Sequence, residues 1–142
     1  ICVHTDGGSK GNPGPGAIGV VICDGDDKIL YEYSECIGDS TNNQAEYRAL
    51  IKGLDLCAKY TRQRVTVHCD SELVVYQITG RYRLKNDELR RLYHEVKDRE
   101  RVFREVVYQH VNRSANQRIK RADELLNRAF TGRPTNKCFV KP

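Results

Sequence analysis

The feature that most constrains this chain is a change of hydrophobic period near residue 40. Before it, apolar residues come in strand-like runs separated by turn signals; after it, helical spacing alternates with single strands. Residues 1–6 read as a strand and GGSKGNPGPG (7–16) as a loop in which glycine and proline set the turns. AIGVVIC (17–23), the turn DGDD (24–27) and the alternating KILYEYSECIG (28–38) complete a three-stranded antiparallel meander. Residues 41–60, capped by Thr41 or Asn42, carry a helical pattern, and VTVHCD (65–70) is a strand. Ser71 caps a helix over 72–79 that ends near Gly80, and Asn86 caps another over 87–100. A strand over 103–111, a polar loop over 112–118 and a helix over 119–130 follow, and the tail from 131 shows no regular pattern. The order βββαβααβα predicts an α/β fold: a five-stranded mixed sheet, three strands antiparallel and two joined in parallel through helical crossovers, flanked by helices. The boundaries are one domain over 1–131 and a C-terminal tail over 132–142. Strand ends and helix openings meet at the C-terminal edge of the parallel part, where α/β folds place their sites.

Bulk properties narrow the class. A chain of 142 residues with 39% hydrophobic and 30% charged residues is an ordinary globular domain, with no apolar run able to cross a bilayer and no secretory signal, so a cytoplasmic monomer is expected. The sequence has no Met, so an initiator is expected upstream of it, and an N-terminal module is left open. Residues 1–50 hold 3 Lys/Arg against 8 Asp/Glu, and the remainder 21 against 11. An acidic patch beside a basic surface suits a polyanion bound near metal ions, although a mixed, solvated surface gives the same numbers. None of the six cysteines forms a C-x-x-C pair, which argues against zinc and thioredoxin chemistry. Five lie among apolar residues and read as buried free thiols; Cys138, in the polar tail, is open to a disulfide, with Cys57 as the candidate partner.

Four carboxylates stand where apolar residues belong. On the 41–60 helix, Glu46, Ala49, Leu50, Gly53 and Cys57 share one face, and Glu46 opens it. On the last helix Asp123 interrupts the stripe Ile119, Leu126, Phe130. Asp6 and Asp70 end their strands in matching contexts, His4-Thr5-Asp6 and His68-Cys69-Asp70, so neighbouring strands project both from one edge. A carboxylate facing a core needs a cation, a hydrogen-bond network or a bound proton. Four hard oxygen donors at one spot suit Mg²⁺ or Mn²⁺. Two such ions about 4 Å apart activate a water and stabilise the leaving 3′-oxygen of a phosphodiester. Each acid also has a bland role: Asp70 as a helix cap, Asp6 in a turn, Glu46 and Asp123 as partners of helix dipoles. All four being structural together is the weaker reading.

Four segments, TDGGSKGNPGPGAIGVVI, TNNQAEYRALIKGL, VHCDSELVVYQI and RADELLNRA, in this order and each carrying one of these acids, strongly resemble type 1 ribonuclease H over about residues 1–130. The resemblance implies the ribonuclease H fold, two Mg²⁺ ions with Mn²⁺ as a substitute, and endonucleolytic cutting of the RNA strand of RNA–DNA hybrids to leave 5′-phosphate and 3′-hydroxyl ends. It implies catalytic roles for Asp6, Glu46, Asp70 and Asp123, with Gly7 beside them at the metals. It also implies substrate contacts from the Gly7, Gly8 and Ser9 backbone to RNA 2′-hydroxyls, from Asn42 and Asn43 in the minor groove, from Thr41 to a DNA phosphate, and from Gln77 and Lys10. Short amide side chains suit the reading of 2′-hydroxyls and groove shape, and Asn42 and Asn43 also suit helix capping.

Two departures stand out. Bacterial members often carry a basic, Trp-rich insertion after the second helix; here Gly80 runs through RYRLKN straight into the next helix, and there is no Trp. Arg81, Arg83 and Lys85 partly replace that handle, and Arg90, Arg91, Arg99 and Arg101 read as a solvated helix face. Many members also carry a His in the loop before the last helix. This chain has HVNRSANQRIKRAD, in which His110 comes early and reads as structural, leaving Arg113, Arg118 or Lys120 to face the scissile phosphate. Such a short form resembles archaeal and some bacterial members, and a relaxed preference that includes double-stranded RNA is a further hypothesis. The competing classes are a non-catalytic hybrid-binding module, which predicts loss of an acid, the ribonuclease H domain of a retroelement reverse transcriptase, and a DNA nuclease of the same fold, against which TNNQAE and the glycine loop argue.

Overall fold

In the computed structural model, which describes residues 1–142, the antiparallel meander is longer than its apolar runs. It comprises β1 (Cys2–Ser9), β2 (Gly14–Cys23) and β3 (Ile29–Ser40). Gly7, Gly8 and Ser9, expected in a loop, pair with Ile18, Ala17 and Gly16 of β2. At Gly7 the lack of bulk serves a close approach: a Cβ there would sit 2.2 Å from the carbonyl oxygen of Ala45 on the following helix. Glycine here marks strand against helix backbone, not a turn.

The helical part begins with α1 (Asn42–Cys57), whose N-cap Thr41 and N3 residue Gln44 form a reciprocal capping box. Next come β4 (Arg64–Cys69), α2 (Glu72–Ile78) and α3 (Asp87–Glu100), the helices capped by Ser71 and Asn86. Then β5 (Glu105–His110), a 3-10 turn (Arg113–Ala115) and α4 (Gln117–Phe130) complete the expected order. Asn116 caps α4, so this helix starts two residues before the apolar pattern does.

The sheet has six strands in the order β5-β4-β1-β2-β3-β6, not five. β1 runs parallel to β4 and β4 parallel to β5, while β2, β3 and β6 are antiparallel to their neighbours. The additional strand, β6 (Thr135–Cys138), lies in the tail and pairs with Tyr31–Ser34 of β3. It is a polar edge strand with no fully buried residue, joined to β3 by the backbone ladder and by side-chain bonds from the Thr135 N–H to Ser34 Oγ and from the Tyr31 hydroxyl to Asn136, so it has no apolar alternation to reveal it. The tail is therefore part of the sheet. It is fastened by the Tyr60 hydroxyl, which donates to the carbonyl of Val140 at 2.6 Å, and not by a disulfide: all six cysteines are free, with Cys57 buried and Cys138 exposed. Cys36, expected to be buried, is exposed as well.

Helices cover both faces. Val3, Val20, Leu50, Leu54, Val67 and Ile78 belong to the main core on the α1 side, where Gly53 packs on Thr5 and Val3. The opposite face holds α4, which touches the sheet backbone at Gly19, where an added Cβ would be 2.0 Å from the Ala122 carbonyl oxygen. The buried stripe of α4 is Ile119, Ala122, Leu125, Leu126 and Ala129. It is rotated from the expected Ile119, Asp123, Leu126, Phe130, so Asp123 lies at the stripe's margin, half-buried, and faces the sheet end. No helix is long and apolar enough to cross a membrane.

Candidate active site

Strand register brings the first two acids together. Thr5 of β1 is paired with Cys69 of β4, which puts Asp6 and Asp70 side by side where the parallel strands end. Asp6 is 2% exposed and Glu46 7%. Glu46 hangs over this edge because α1 lies directly on Gly7, whose N–H donates to Glu46 Oε1. The Cys69 thiol donates to Glu46 Oε2 at 3.7 Å. Ligand atoms of Glu46, Cys69 and Asp70 all lie within 4.8 Å of one another. Asp123 arrives from the other face of the sheet, on α4.

Mutual repulsion and burial show in the proton affinities. Desolvation, then the charge of Asp70, push Asp6 up to about 8, against the opposing pull of Arg113. Burial, then Asp6 and Asp70, hold Glu46 well above the usual carboxylate range, and burial raises the Cys69 thiol. Such a group of acids has two ways to become comfortable, protons or cations. Hard oxygen donors on four segments fit a divalent ion of the Mg²⁺ class, whereas Cys69 is a protonated neighbour that orients Glu46.

Arg113 is the cation at this edge. Its Nη2 is 3.1 Å from both Asp6 carboxylate oxygens, and its Nε is 2.8 Å from Asp70 Oδ2. Its Nη1 is 3.2 Å from Asp123 Oδ1. The other two candidate cations, both on α4, go elsewhere: Arg118 pairs with Asp27, and Lys120 is exposed. His110, at the end of β5, places Nε2 3.2 Å from the backbone oxygen of Asp70.

The polar substrate candidates form a second group beside the acids. The Asn42 Oδ1 accepts the Ser9 N–H at 2.9 Å, and the Asn42 N–H donates to Asn12 Oδ1 at 3.0 Å. Asn12, Thr41, Asn42, Asn43, Gln44 and Asn86, with Leu89, line a pocket of about 390 Å³. Asn12 and Asn86 were missed by sequence reasoning, the first because it sits in a glycine-rich run, the second because capping α3 already explained it. Clustered amides in separate segments are the signal, but only the fold joins them. Gln77 is set apart: it is 8% exposed, and its Oε1 accepts from the Tyr47 hydroxyl at 2.7 Å. Lys10 lies with Nζ 4.8 Å from the centre of the Phe130 ring. Between α2 and α3 the short link carries Arg81, Arg83 and Lys85, all exposed, and Arg90, Arg91, Arg99 and Arg101 pair with acids on the surface.

A family profile described as reverse transcriptase-like matches residues 4–129. A bifunctional protein of Mycobacterium tuberculosis is 41% identical over 131 residues, which is 92% of this chain and 35% of that protein. The RNase H1 of Halobacterium salinarum superposes with a TM-score of 0.87 at 38% identity, over 93% of this chain and 98% of that one. LC11-RNase H1, solved in complex with an RNA/DNA hybrid, superposes with a TM-score of 0.85 at 39% identity, over 92% of this chain and 96% of that one. The chain spans about a third of the length of the mycobacterial relative and 64% of the Halobacterium ribonuclease HI sequence.

Proposed function

Because this chain belongs to the type 1 ribonuclease H family, we propose that it is an endoribonuclease that hydrolyses the RNA strand of RNA–DNA hybrids and leaves 5′-phosphate and 3′-hydroxyl ends. The observation that carries this reading is the gathering of Asp6, Glu46, Asp70 and Asp123, from four separate segments, at one sheet edge beside a wall of amides. When bound at these carboxylates and the Gly7 backbone, two Mg²⁺ ions, or Mn²⁺ in their place, supply an activated water and stabilise the leaving oxygen.

The chain's own groups have distinct tasks. Gly7 N–H and the Cys69 thiol fix the orientation of the Glu46 carboxylate. Asn42 ties Ser9 to the start of α1, so the Gly7–Ser9 backbone and the amides of Asn42 and Asn43 present one rigid surface to 2′-hydroxyls and the minor groove. Thr41, at the opening of α1, faces a phosphate of the DNA strand with Asn12 and Asn86 around it. Lys10 adds positive charge at the rim, and Arg113 meets the phosphate at the cut. An RNA duplex shares the strand that is cut, and it is expected to be cut more slowly than the hybrid.

The test is cleavage of labelled hybrid and labelled RNA duplex in Mg²⁺ by the parent and by Asp70→Asn. Loss of a carboxylate ligand removes several kcal/mol of transition-state stabilisation, so the variant should lose at least about a hundredfold in rate while staying folded. Activity retained in Asp70→Asn overturns the mechanism, and no hybrid cleavage by the parent overturns the enzyme.

A further inference from the structure

Arg113 stands where the acids demand a cation, but it is a poor match for the demand. One positive charge meets the carboxylates of Asp6, Asp70 and Asp123, and it does not touch Glu46, which is bound only by Gly7 and Cys69. With the acids ionised, the edge therefore stays negative with Arg113 in place. Every side-chain hydrogen bond of Arg113 goes to these three acids. Nothing else anchors it: the side chain is 47% exposed and springs from a 3-10 turn with no buried residue. It can leave without opening the core.

We propose that Arg113 is a resident counter-ion that a divalent cation must displace, so that metal binding and release of the guanidinium into solvent are a single exchange. The inference rests on the metal-dependent reading above. Before the exchange, Arg113 holds acids from β1, the end of β4 and α4 together against their mutual repulsion. After it, a dication of higher charge density takes their oxygens, and the freed guanidinium stays tethered at the mouth of the site, where an incoming phosphate is its next partner. Competition of this kind lowers the apparent metal affinity by the strength of the Arg113 contacts, and reciprocity requires metal to weaken those contacts equally.

The experiment titrates the full chain with Mn²⁺, without nucleic acid, and follows free Mn²⁺ by electron paramagnetic resonance. Parent, Arg113→Gln and Arg113→Lys are compared at two pH values a unit apart, which separates competition by protons from competition by Arg113. Arg113→Gln should bind Mn²⁺ about 5- to 20-fold more tightly than the parent, and Arg113→Lys should lie between them. In the parent, the Nε–Hε resonance of Arg113 should be protected without metal and lose protection in step with Mg²⁺ occupancy. Equal or weaker Mn²⁺ binding by a folded Arg113→Gln overturns the exchange, as does an Arg113 resonance unchanged at saturating Mg²⁺. If Arg113→Gln does not fold, the resonance of the parent decides. Absence of hybrid cleavage by a parent that does bind Mn²⁺ strikes the nuclease reading and leaves the exchange standing.

Discussion

Replacing Gly7 by Ala should damage stability and activity together, through one carbon atom. The new Cβ would lie 2.2 Å from the Ala45 oxygen, 2.3 Å from the Ala45 carbonyl carbon and 2.6 Å from the Glu46 nitrogen. Real Cβ contacts essentially never fall under 3.0 Å, and all three neighbours are backbone, so no side chain can swing aside. β1 and α1 must separate by about 1 Å, which breaks packing at a cost of about 3 kcal/mol. The same shift falls on Glu46, whose carboxylate is held by the Gly7 N–H, and a displacement of about 1 Å at a catalytic group costs roughly a hundredfold in rate. Gly8 supplies the control: a Cβ there meets only Leu126 Cδ1 at 3.8 Å and Asn42 Oδ1 at 3.9 Å, which is ordinary contact. Gly8→Ala should stay within about 0.5 kcal/mol of the parent. Urea unfolding of both variants, with kcat on the hybrid for those that fold, measures the contrast. A Gly7→Ala protein as stable as Gly8→Ala would refute the reasoning.

Two further perturbations test other parts of the molecule. Asp6 binds its proton more tightly folded than unfolded, so between the ordinary carboxylate range and about 8 the metal-free native state holds more protons and loses stability as pH rises. Asp6→Asn removes that loss and should raise the metal-free Tm by several degrees at pH near 8, with little gain in acid; a Tm difference independent of pH would contradict the burial of charge at Asp6. Tyr60→Phe deletes the hydroxyl that holds the tail and should cost about 1 kcal/mol in denaturant unfolding, with hybrid cleavage unchanged. An unaltered midpoint would mean that β6 is fastened by its bonds to β3 and not by Tyr60.

The parts of this molecule legible in the sequence are those that break a pattern or keep one strictly. Asp6, Asp70 and Glu46 could be picked out because each sits among residues that are buried, Val3 and Thr5, Val67 and Cys69, Ala49 and Leu50. Element order followed from period and caps, since Thr41, Ser71 and Asn86 do cap their helices. What escaped lacks a local signature. β6 is polar on both faces and defined only by the open edge of β3. Gly7 looks like part of a turn unless one knows that Ala45 lies against it. The rotation of α4 differs from its apolar pattern because Phe130 is only partly buried, and Leu125 and Ala129 carry the contact. The convergence of Arg113 on three acids depends on the path of a loop, and side-chain reach across 107 residues of sequence is not written in any spacing.

The placement of Glu46 and Asp123 has a mechanical side. One rides on the helix above the sheet and the other on the helix below it, and they meet only around the sheet's end. A cation gripped by both therefore bolts the two helical layers to each other across that end. At a hundred times its dissociation constant such a ligand would add about 2.7 kcal/mol against global unfolding, and α4 could not peel away without first letting it go. The ambient level of divalent ions would then set not only how fast this protein can work but how long it stays assembled.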